Sequence, residues 1–309
     1  MRAITPDNNR SVQLTDVPDI EARLDQAVVA IEAFAPNRGE TFLLDSPAAN
    51  WRPGKDVAGT VVEAALDGSG PDVGTRVVAH LPQAGWAERA LLPQHGWAAL
   101  PPGIATTTAA ALPLAGLTAL RLLRLAGPVV GRSLLITGAS GGVGHYLTEM
   151  ATSAGADVTA ITRTHDRGAR LRELGARTMS DLALLEATQA RFDVAFESIG
   201  GDTLSRVRHL TSRFGRLIWF GQAGREPMRL DFFDWVDGDV GAPIEQFHYA
   251  PPSRTRDTDG SDLQALVTLV NSGRLHPEVD RIEPWTMTGE VIDALRDRRI
   301  RGKAVLTLT

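Results

Sequence analysis

The 309-residue chain contains no cysteine. This absence excludes disulfide bonds, a catalytic thiolate and any zinc site that needs cysteine ligands. Lysine is almost as rare, and Lys55 and Lys303 are the only two. Any reaction that requires a lysine side chain therefore has two candidates.

Long apolar runs are also missing. No stretch of about 18 consecutive apolar residues occurs, so the sequence predicts no membrane-spanning helix. Residues 1–10 are polar and lack the apolar core of a secretory signal peptide, which favours a cytoplasmic protein. The net charge of −5 argues against a nucleic acid or an anionic membrane surface as the partner.

The composition that remains is that of an ordinary globular protein, and the length favours two domains. Residues 1–100 contain short apolar runs bounded by Gly, Pro and Asp, a pattern typical of a β-rich, barrel-like domain. After residue 105, strand and helix patterns alternate, which predicts βαβ units around a parallel sheet. Residues 221–260 predict no regular element, and a segment of this length without a pattern is often functional.

Boundaries of individual elements follow from the same pattern. A strand is predicted at Phe192–Glu197. Two helical stretches are predicted to be interrupted by Pro113 and Gly116. A later helix is predicted to begin with Ser261 or Asp262 as its cap.

The most informative motif runs from Leu134 to Gly144, where an apolar strand enters a glycine-dense turn that precedes a predicted helix. Glycines there let the backbone approach a pyrophosphate, and the helix N-terminus provides N–H donors and partial positive charge. The motif therefore predicts a nucleotide cofactor. Its expected contacts are Gly138, Ser140, Gly141, Gly142, Val143 and Gly144.

Two other enzyme classes use similar turns. Gly138-x-Ser140-x-Gly142 matches the nucleophile elbow of α/β-hydrolases, but the sequence has no HGGG-type oxyanion loop, so that interpretation rests on the elbow alone. Short-chain dehydrogenases have a related turn and need a Tyr-x-x-x-Lys pair. The only tyrosines are Tyr146 and Tyr249, and neither has a lysine four residues later.

A third interpretation is a dinucleotide-binding fold that follows a β-rich domain. Short motifs along nearly the whole chain support it through their order and spacing. They are Asn37–Glu40, Gly54–Gly59, Val73–Val77, Leu114–Ala119, the glycine turn, Leu174–Ala176, Phe192–Gly201, Gly215–Leu217 and Gly302–Leu306. With these motifs the sequence resembles the medium-chain dehydrogenase/reductase superfamily, and within it the zinc-free quinone oxidoreductase branch that includes zeta-crystallin.

This resemblance implies an α/β fold with a Rossmann-type doubly wound parallel sheet and a β-rich GroES-like barrel domain. Residues 1–113 together with 277–309 are expected to form the GroES-like substrate domain. Residues 114–276 are expected to form the NADPH-binding domain. Relatives commonly dimerise by joining their dinucleotide sheets edge to edge, so the resemblance also implies a homodimer, with residues 225–240 as a candidate edge.

The chain departs from the zinc-dependent members at one motif. Those proteins have Gly-His-Glu where this chain has Gly54-Lys55-Asp56, and they use cysteines as catalytic and structural ligands. A divalent metal beside Lys55 would meet a like charge. We therefore expect a protein without zinc.

The second strand of the dinucleotide fold predicts which nicotinamide cofactor is bound. An acidic residue after this strand selects NAD, whereas an arginine accommodates the 2′-phosphate of NADP. Here the strand ends at Thr162-Arg163, and Arg167 follows. We expect NADPH, with Thr162, Arg163 and Arg167 in contact with it.

Strand ends and the resemblance supply the other cofactor contacts. Residues after two predicted strands are expected at the carboxyl edge of the sheet; they are Ile199, Gly200, Phe220 and Gly221. The resemblance places Asn37 and Thr118 beside the nicotinamide as positioning residues. Thr118 and Lys303 are also expected to contact the cofactor. The substrate is expected in the cleft between the domains, against Trp51, Trp235 and Tyr249.

Without zinc or a Tyr–Lys pair, the expected chemistry is hydride transfer to a small-molecule quinone or α,β-unsaturated carbonyl compound. The oxyanion that develops in these acceptors is spread over a π-system, so positioning and exclusion of water supply most of the catalysis. An enoyl-thioester reductase of a biosynthetic pathway is an alternative. A non-catalytic NADPH-binding sensor protein is an alternative from another class.

Overall fold

The computed structural model describes the whole chain except residues 8, 230, 232, 234–241, 250–257 and 309. The chain forms two compact units, Met1–Leu117 with Pro251–Thr309, and Thr118–Ala250. This division groups residues 251–276 with the first unit, whereas the sequence analysis assigned them to the dinucleotide-binding domain; the domain boundaries stay a prediction. In the described part of the chain, no helix is long and apolar enough to cross a membrane.

Fifteen strands and nine α-helices occur in the described residues. The strands are β1 (Arg2–Pro6), β2 (Val12–Asp16), β3 (Val28–Ala35), β4 (Asp56–Glu63), β5 (Arg76–His80), β6 (Arg89–Leu91), β7 (Trp97–Ala99), β8 (Ser133–Ile136), β9 (Asp157–Ile161), β10 (Arg177–Met179), β11 (Phe192–Glu197), β12 (Thr211–Trp219), β13 (Ile244–Gln246), β14 (Val279–Pro284) and β15 (Lys303–Thr307). The helices are α1 (Arg38–Leu43), α2 (Thr106–Ala110), α3 (Pro113–Ala126), α4 (Gly142–Ser153), α5 (Ala169–Glu173), α6 (Ala183–Ala187), α7 (Gly201–Leu210), α8 (Asp259–Asn271) and α9 (Thr288–Arg296).

The first unit is built on a seven-stranded sheet in the order β14-β15-β3-β4-β5-β7, with β6 paired to β3. Its neighbouring strands are antiparallel except β14 and β15, which are parallel. Apolar side chains that alternate along these strands form one core, in which the rings of Phe34 and Trp86 stack with their centroids 5.5 Å apart. This is the β-rich, GroES-like part of the predicted fold.

The second unit is built on a six-stranded sheet in the order β10-β9-β8-β11-β12-β13, and every pair in it is parallel. This order is that of a Rossmann-type fold, which confirms the predicted α/β class. The chain leaves β8 toward β9 on one side and later returns to β11 on the other. In such sheets, ligands bind beyond the carboxyl ends of the strands at this change of direction.

Candidate active site

The glycine turn lies at the carboxyl end of β8, the strand where the direction changes. Gly138 has φ +60°, a conformation that glycine adopts without strain. A Cβ on Gly144 would lie 2.4 Å from the Ala139 carbonyl oxygen, so only glycine fits between the turn and the first turn of α4. Helix α4 begins at Gly142 and has Gly141 as its N-cap. The backbone therefore has the form of a phosphate cradle with a helix N-terminus beside it.

A basic side chain lies at this turn. The Arg167 Nε donates a hydrogen bond to the Ser140 hydroxyl at 3.0 Å, across 27 residues of sequence. Arg167 belongs to a 3₁₀ turn, Asp166–Gly168, which follows β9. Ser140 and Thr162 are buried, whereas Arg163 is exposed. The structure thus brings Arg167, predicted for the 2′-phosphate, to the glycine turn that was predicted for the pyrophosphate.

The end of β11 is tied to the glycine turn by the buried carboxylate of Glu197. This carboxylate accepts hydrogen bonds from the backbone N–H groups of Ile199, at 2.6 Å, and Gly200, at 3.0 Å, and from the Thr137 hydroxyl, at 3.2 Å. Thr137 immediately precedes Gly138, and its own hydroxyl accepts the Ser198 N–H at 3.0 Å. Burial raises the pKa of Glu197 above its usual value, and the hydrogen bonds from Ile199 and Gly200 oppose that shift.

The end of β12 joins the same edge. The Phe220 N–H donates to the Glu197 carbonyl at 2.9 Å, and the Ala223 N–H donates to the Ser198 carbonyl at 2.9 Å. A Cβ on Gly221 would lie 3.2 Å from the Ser198 carbonyl oxygen. One edge of the sheet therefore holds the predicted contacts Ile199, Gly200, Phe220 and Gly221 together with the glycine turn. The residues at this edge fit a dinucleotide, because the glycines admit a close approach and Arg167 lies at the glycine turn.

A buried polar cluster organises the predicted site residues of the first unit. Lys303 donates to the Asn37 amide oxygen at 2.6 Å and pairs with the Asp56 carboxylate at 3.1 Å. The Asn37 amide nitrogen donates to the same Asp56 oxygen at 2.8 Å. The other Asp56 oxygen accepts the Leu114 N–H at 2.9 Å, in the first turn of α3. Asn37 and Lys303 thus have protein partners for their polar atoms, and their roles toward a cofactor stay predictions.

Glu40 extends this cluster. Its carboxylate accepts the backbone N–H groups of Asn37 and Gly54, each at 2.9 Å, and it is 1% exposed. Burial, together with the nearby charge of Asp56, raises the pKa of Glu40 to about 7. Glu40 therefore titrates near neutral pH in the folded protein and holds the Asn37 turn against the loop that precedes β4.

The remaining predicted site residues are Thr118, for the cofactor, and Trp51, Trp235 and Tyr249, for the substrate. Thr118 is 7% exposed on α3, and one turn along the same helix Arg121 donates to the Tyr249 carbonyl at 3.1 Å and lies over the Tyr249 ring. Trp51 packs at the margin of the first unit's core. Trp235 lies outside the described residues. The roles of these residues toward cofactor and substrate stay predictions.

Metal-ligating side chains do not gather in the described residues, where no group of three or more His, Asp and Glu side chains has the geometry of a metal site. Lys55 precedes Asp56 at the start of β4, and its carbonyl accepts the Leu81 N–H at 2.6 Å.

Comparison with known proteins assigns the chain to a family. The family model for zinc-binding dehydrogenases matches residues 174–306. The chain is 35% identical over 273 residues to a chloroplast envelope quinone oxidoreductase homolog of Arabidopsis thaliana, which covers 82% of this chain and 79% of that protein. It is 32% identical over 313 residues to 2-methylene-furan-3-one reductase of Solanum lycopersicum, covering 94% and 73%.

The chain belongs to the quinone oxidoreductase branch of the medium-chain dehydrogenase/reductase superfamily. The same fold occurs in the crystal structure of Escherichia coli quinone oxidoreductase complexed with NADPH, which aligns over 99% of both chains with a TM-score of 0.87 and 21% identity. The protein is thus an enzyme of the quinone oxidoreductase type in its fold and sequence.

Three acidic residues of this chain were not predicted as site residues. Glu40 lies three positions after Asn37, a spacing that is typical of a capping box and was a usable signal. Asp56 and Glu197 lie inside motifs that support the resemblance, but nothing in their neighbours along the chain shows which groups they hold.

Proposed function

We propose that this protein is a zinc-independent, NADPH-dependent oxidoreductase that transfers hydride to a quinone or an α,β-unsaturated carbonyl compound. The observation that carries the proposal is the hydrogen bond from Arg167 to Ser140, which puts a guanidinium beside a glycine turn at a helix N-terminus. Both features favour an anionic ligand, and a charged hydrogen bond is worth roughly 1.5–3 kcal/mol.

The residues of the second unit divide between the two ends of the cofactor. Gly138–Gly144 would hold the pyrophosphate, while Thr162, Arg163 and Arg167 would hold the 2′-phosphate. Ile199, Gly200, Phe220 and Gly221, with Thr118, would line the nicotinamide. Bound there, NADPH supplies a hydride to the acceptor.

In the first unit, we propose that Asn37 is a positioning residue. Its amide is already engaged by Lys303 and Asp56, so it orients its turn and does not serve as a proton donor. Lys303 would act through Asn37 in the same way. Substrate contacts with Trp51, Trp235 and Tyr249, a cytoplasmic location and a homodimer stay predictions from the sequence.

The acceptor class is supported by the names of the two relatives, a quinone oxidoreductase homolog and an enone reductase. It is tested by following NADPH absorbance at 340 nm with 1,4-benzoquinone, 9,10-phenanthrenequinone, an enone and crotonyl-CoA. We expect turnover with the quinones or the enone. Turnover with crotonyl-CoA alone would identify an enoyl-thioester reductase. Tight NADPH binding with no turnover of any acceptor would identify a sensor protein.

A further inference from the structure

Glu197 is a buried carboxylate whose hydrogen-bond partners are all uncharged. Its exposed fraction is 0%. Its side-chain oxygens accept from the Ile199 and Gly200 N–H groups and from the Thr137 hydroxyl. Burying a carboxylate without a cation is unfavourable unless several donors replace its water. The groups that donate to Glu197 therefore replace the water that an exposed carboxylate would have.

The positions of these donors show which segments Glu197 connects. Ile199 and Gly200 form the turn that follows β11, and Gly200 has φ +80°. Thr137 is the last residue before the glycine turn, and its hydroxyl bridges the Glu197 carboxylate and the Ser198 N–H. One carboxylate therefore links the loop after β8 to the loop after β11, and the Glu197 carbonyl links the latter to the loop after β12 through Phe220.

The charged groups on the neighbouring elements pair with other residues, are exposed, or lie at the far end of their helix. On β12, Arg216 pairs with Glu245. At the opposite end of β11, Asp193 accepts from Ser133. On α7, Arg206 pairs with Glu186 and Asp181, and Asp202 is exposed. Arg208 and His209 lie in the last turn of α7, at the far end of this helix from Gly200. The Glu197 carboxylate itself forms no ion pair within the described residues, so its protonation removes a negative charge from the loop junction.

We infer that Glu197 is a positioning residue whose ionised carboxylate holds the Ile199–Gly200 turn and the glycine turn in the geometry that binds the cofactor, and whose protonation loosens that geometry. This inference rests on the proposed function, because the ligand is the proposed NADPH. Since burial raises the pKa of Glu197, the loosening begins at a less acidic pH than it would for an exposed glutamate.

Glu197→Gln is the decisive variant. With its oxygen in place of Oε1, the amide can still accept from the Ile199 N–H and the Thr137 hydroxyl, while its nitrogen replaces the oxygen nearer Gly200 and the side chain no longer titrates. Glu290→Gln makes the same chemical change at an exposed position of α9 and is the matched control. Glu197→Ala removes all the acceptors.

Two measurements across pH 5–8 test the inference. The first is hydrogen exchange of a peptide containing residues 198–201, without ligand, corrected for the intrinsic pH dependence of exchange. The second is the Kd of NADP⁺, which is stable in acid. As the pH falls, the wild type and Glu290→Gln should lose protection and bind more weakly, several-fold beyond the trend in Glu197→Gln. Glu197→Ala should exchange faster and bind about tenfold more weakly throughout.

The inference is overturned if Glu197→Gln follows the same pH dependence as the wild type, or if Glu197→Ala leaves exchange in residues 198–201 unchanged. Failure of the proposed function looks different, because the wild type would then bind neither NADP⁺ nor NADPH at any pH. In that case the exchange measurement still decides whether Glu197 holds the two turns. A variant that does not fold is recognised by faster exchange over the whole chain, and Glu197→Gln then carries the test.

Discussion

Two buried glutamates, Glu40 and Glu197, show how single side chains organise this protein. Each accepts two backbone N–H groups, and each has a raised pKa because burial disfavours the charged form. Neither shares a direct ion pair with a cation in the described residues, since Lys303 pairs with Asp56. These carboxylates therefore hold turns in place at a cost to stability when they are ionised.

The raised pKa of Glu40 predicts how the free energy of unfolding depends on pH. Its pKa rises from 4.5 to about 7 on folding, so the folded state binds the proton more tightly than the unfolded state. The stabilisation is complete below pH 4.5 and is lost as the pH rises through 7. At about 1.4 kcal/mol per pKa unit, the loss is about 3 kcal/mol. Urea unfolding at pH 5, 6, 7 and 8 should show this decline in the wild type.

Glu40→Gln should have a flatter dependence over the same range, because its side chain does not titrate. Its unfolding free energy should also be lower at pH 5, since one of the two N–H groups loses its acceptor. Glu290→Gln is the control and should keep the slope of the wild type. An unchanged slope in Glu40→Gln would show that the decline arises from another group.

Arg167 and Arg163 are predicted to select NADPH over NADH. Replacing both with alanine should raise the Kd of NADPH by about two to four decades, if each contributes a charged hydrogen bond of roughly 1.5–3 kcal/mol. The Kd of NADH should change little, because it has no 2′-phosphate. We expect the larger share from Arg167, which already lies at Ser140, than from the exposed Arg163. Fluorescence titration measures both constants.

Arg170→Ala is the matched control, because this arginine pairs with Glu173 within α5 and was not predicted to bind the cofactor. It should leave the preference for NADPH unchanged. If the Arg163/Arg167 double variant retains that preference as well, the assignment of the 2′-phosphate site is wrong.

At the scale of elements, the sequence predicted those strands and helices that have a clear periodicity or a clear turn residue at their ends. Strand β11 has the predicted bounds, Phe192–Glu197. Strands β10 and β13 were missed, because three residues are too few for an alternating pattern. The predicted break at Pro113 is present, since α2 ends at Ala110 and Pro113 starts α3, where its missing N–H has no intrahelical partner to lose.

Two further differences have local causes. Gly116 lies inside α3, and a Cβ there would come within 2.9 Å of the Leu266 side chain, so close packing explains the glycine. Helix α8 has Thr258 as its N-cap, and Ser261, predicted as the cap, is the reciprocal partner at the third position. The two residues form one capping box, so a search for a single capping residue finds Ser261 and misses Thr258.

The junction between the glycine turn and α4 gives a prediction at this scale. In Gly144→Ala the new Cβ would lie 2.4 Å from a carbonyl oxygen and 2.5 Å from the Ala139 Cα, both of them backbone atoms. Backbone cannot yield as a flexible side chain does, so we expect a loss of about 3 kcal/mol or more in unfolding free energy. Thermal or urea unfolding measures it, and NADPH binding should be lost in parallel.

Gly103→Ala is the control for that variant. No atom lies within 4 Å of its added Cβ, so its stability should stay within about 0.5 kcal/mol of the wild type. Equal stability of the two variants would show that the turn relaxes around the methyl group.

At the scale of the whole molecule, the fold was easier to predict than the site. The sheet of the second unit follows from strands and helices that alternate along the chain. The cluster of Asn37, Asp56 and Lys303 joins residues that are 19 and 247 positions apart, and no local pattern encodes such pairing. The glycine turn was predictable because its residues are contiguous, whereas its contact with Arg167 required the end of β9 to be placed beside it.

The composition of the whole chain also limits the reaction. Without cysteine, and with Lys55 beside Asp56, the ligand sets of the zinc-dependent relatives cannot be assembled. We therefore predict far less than one zinc per chain in the purified protein by elemental analysis. Dialysis against EDTA or 1,10-phenanthroline should leave quinone reduction unchanged, while a zinc-dependent alcohol dehydrogenase treated in parallel loses activity.

The same limit extends to substrates. A simple alcohol or saturated ketone concentrates charge on one oxygen as hydride moves, and its reaction needs a Lewis acid or a strong proton donor there. A quinone or enone spreads that charge over its π-system. We therefore expect no oxidation of ethanol or 2-propanol with NADP⁺, and no reduction of cyclohexanone, under conditions where cyclohexenone or a quinone is reduced. Chelator-sensitive turnover of the saturated substrates, with stoichiometric zinc, would require a metal site built from His, Asp and Glu instead.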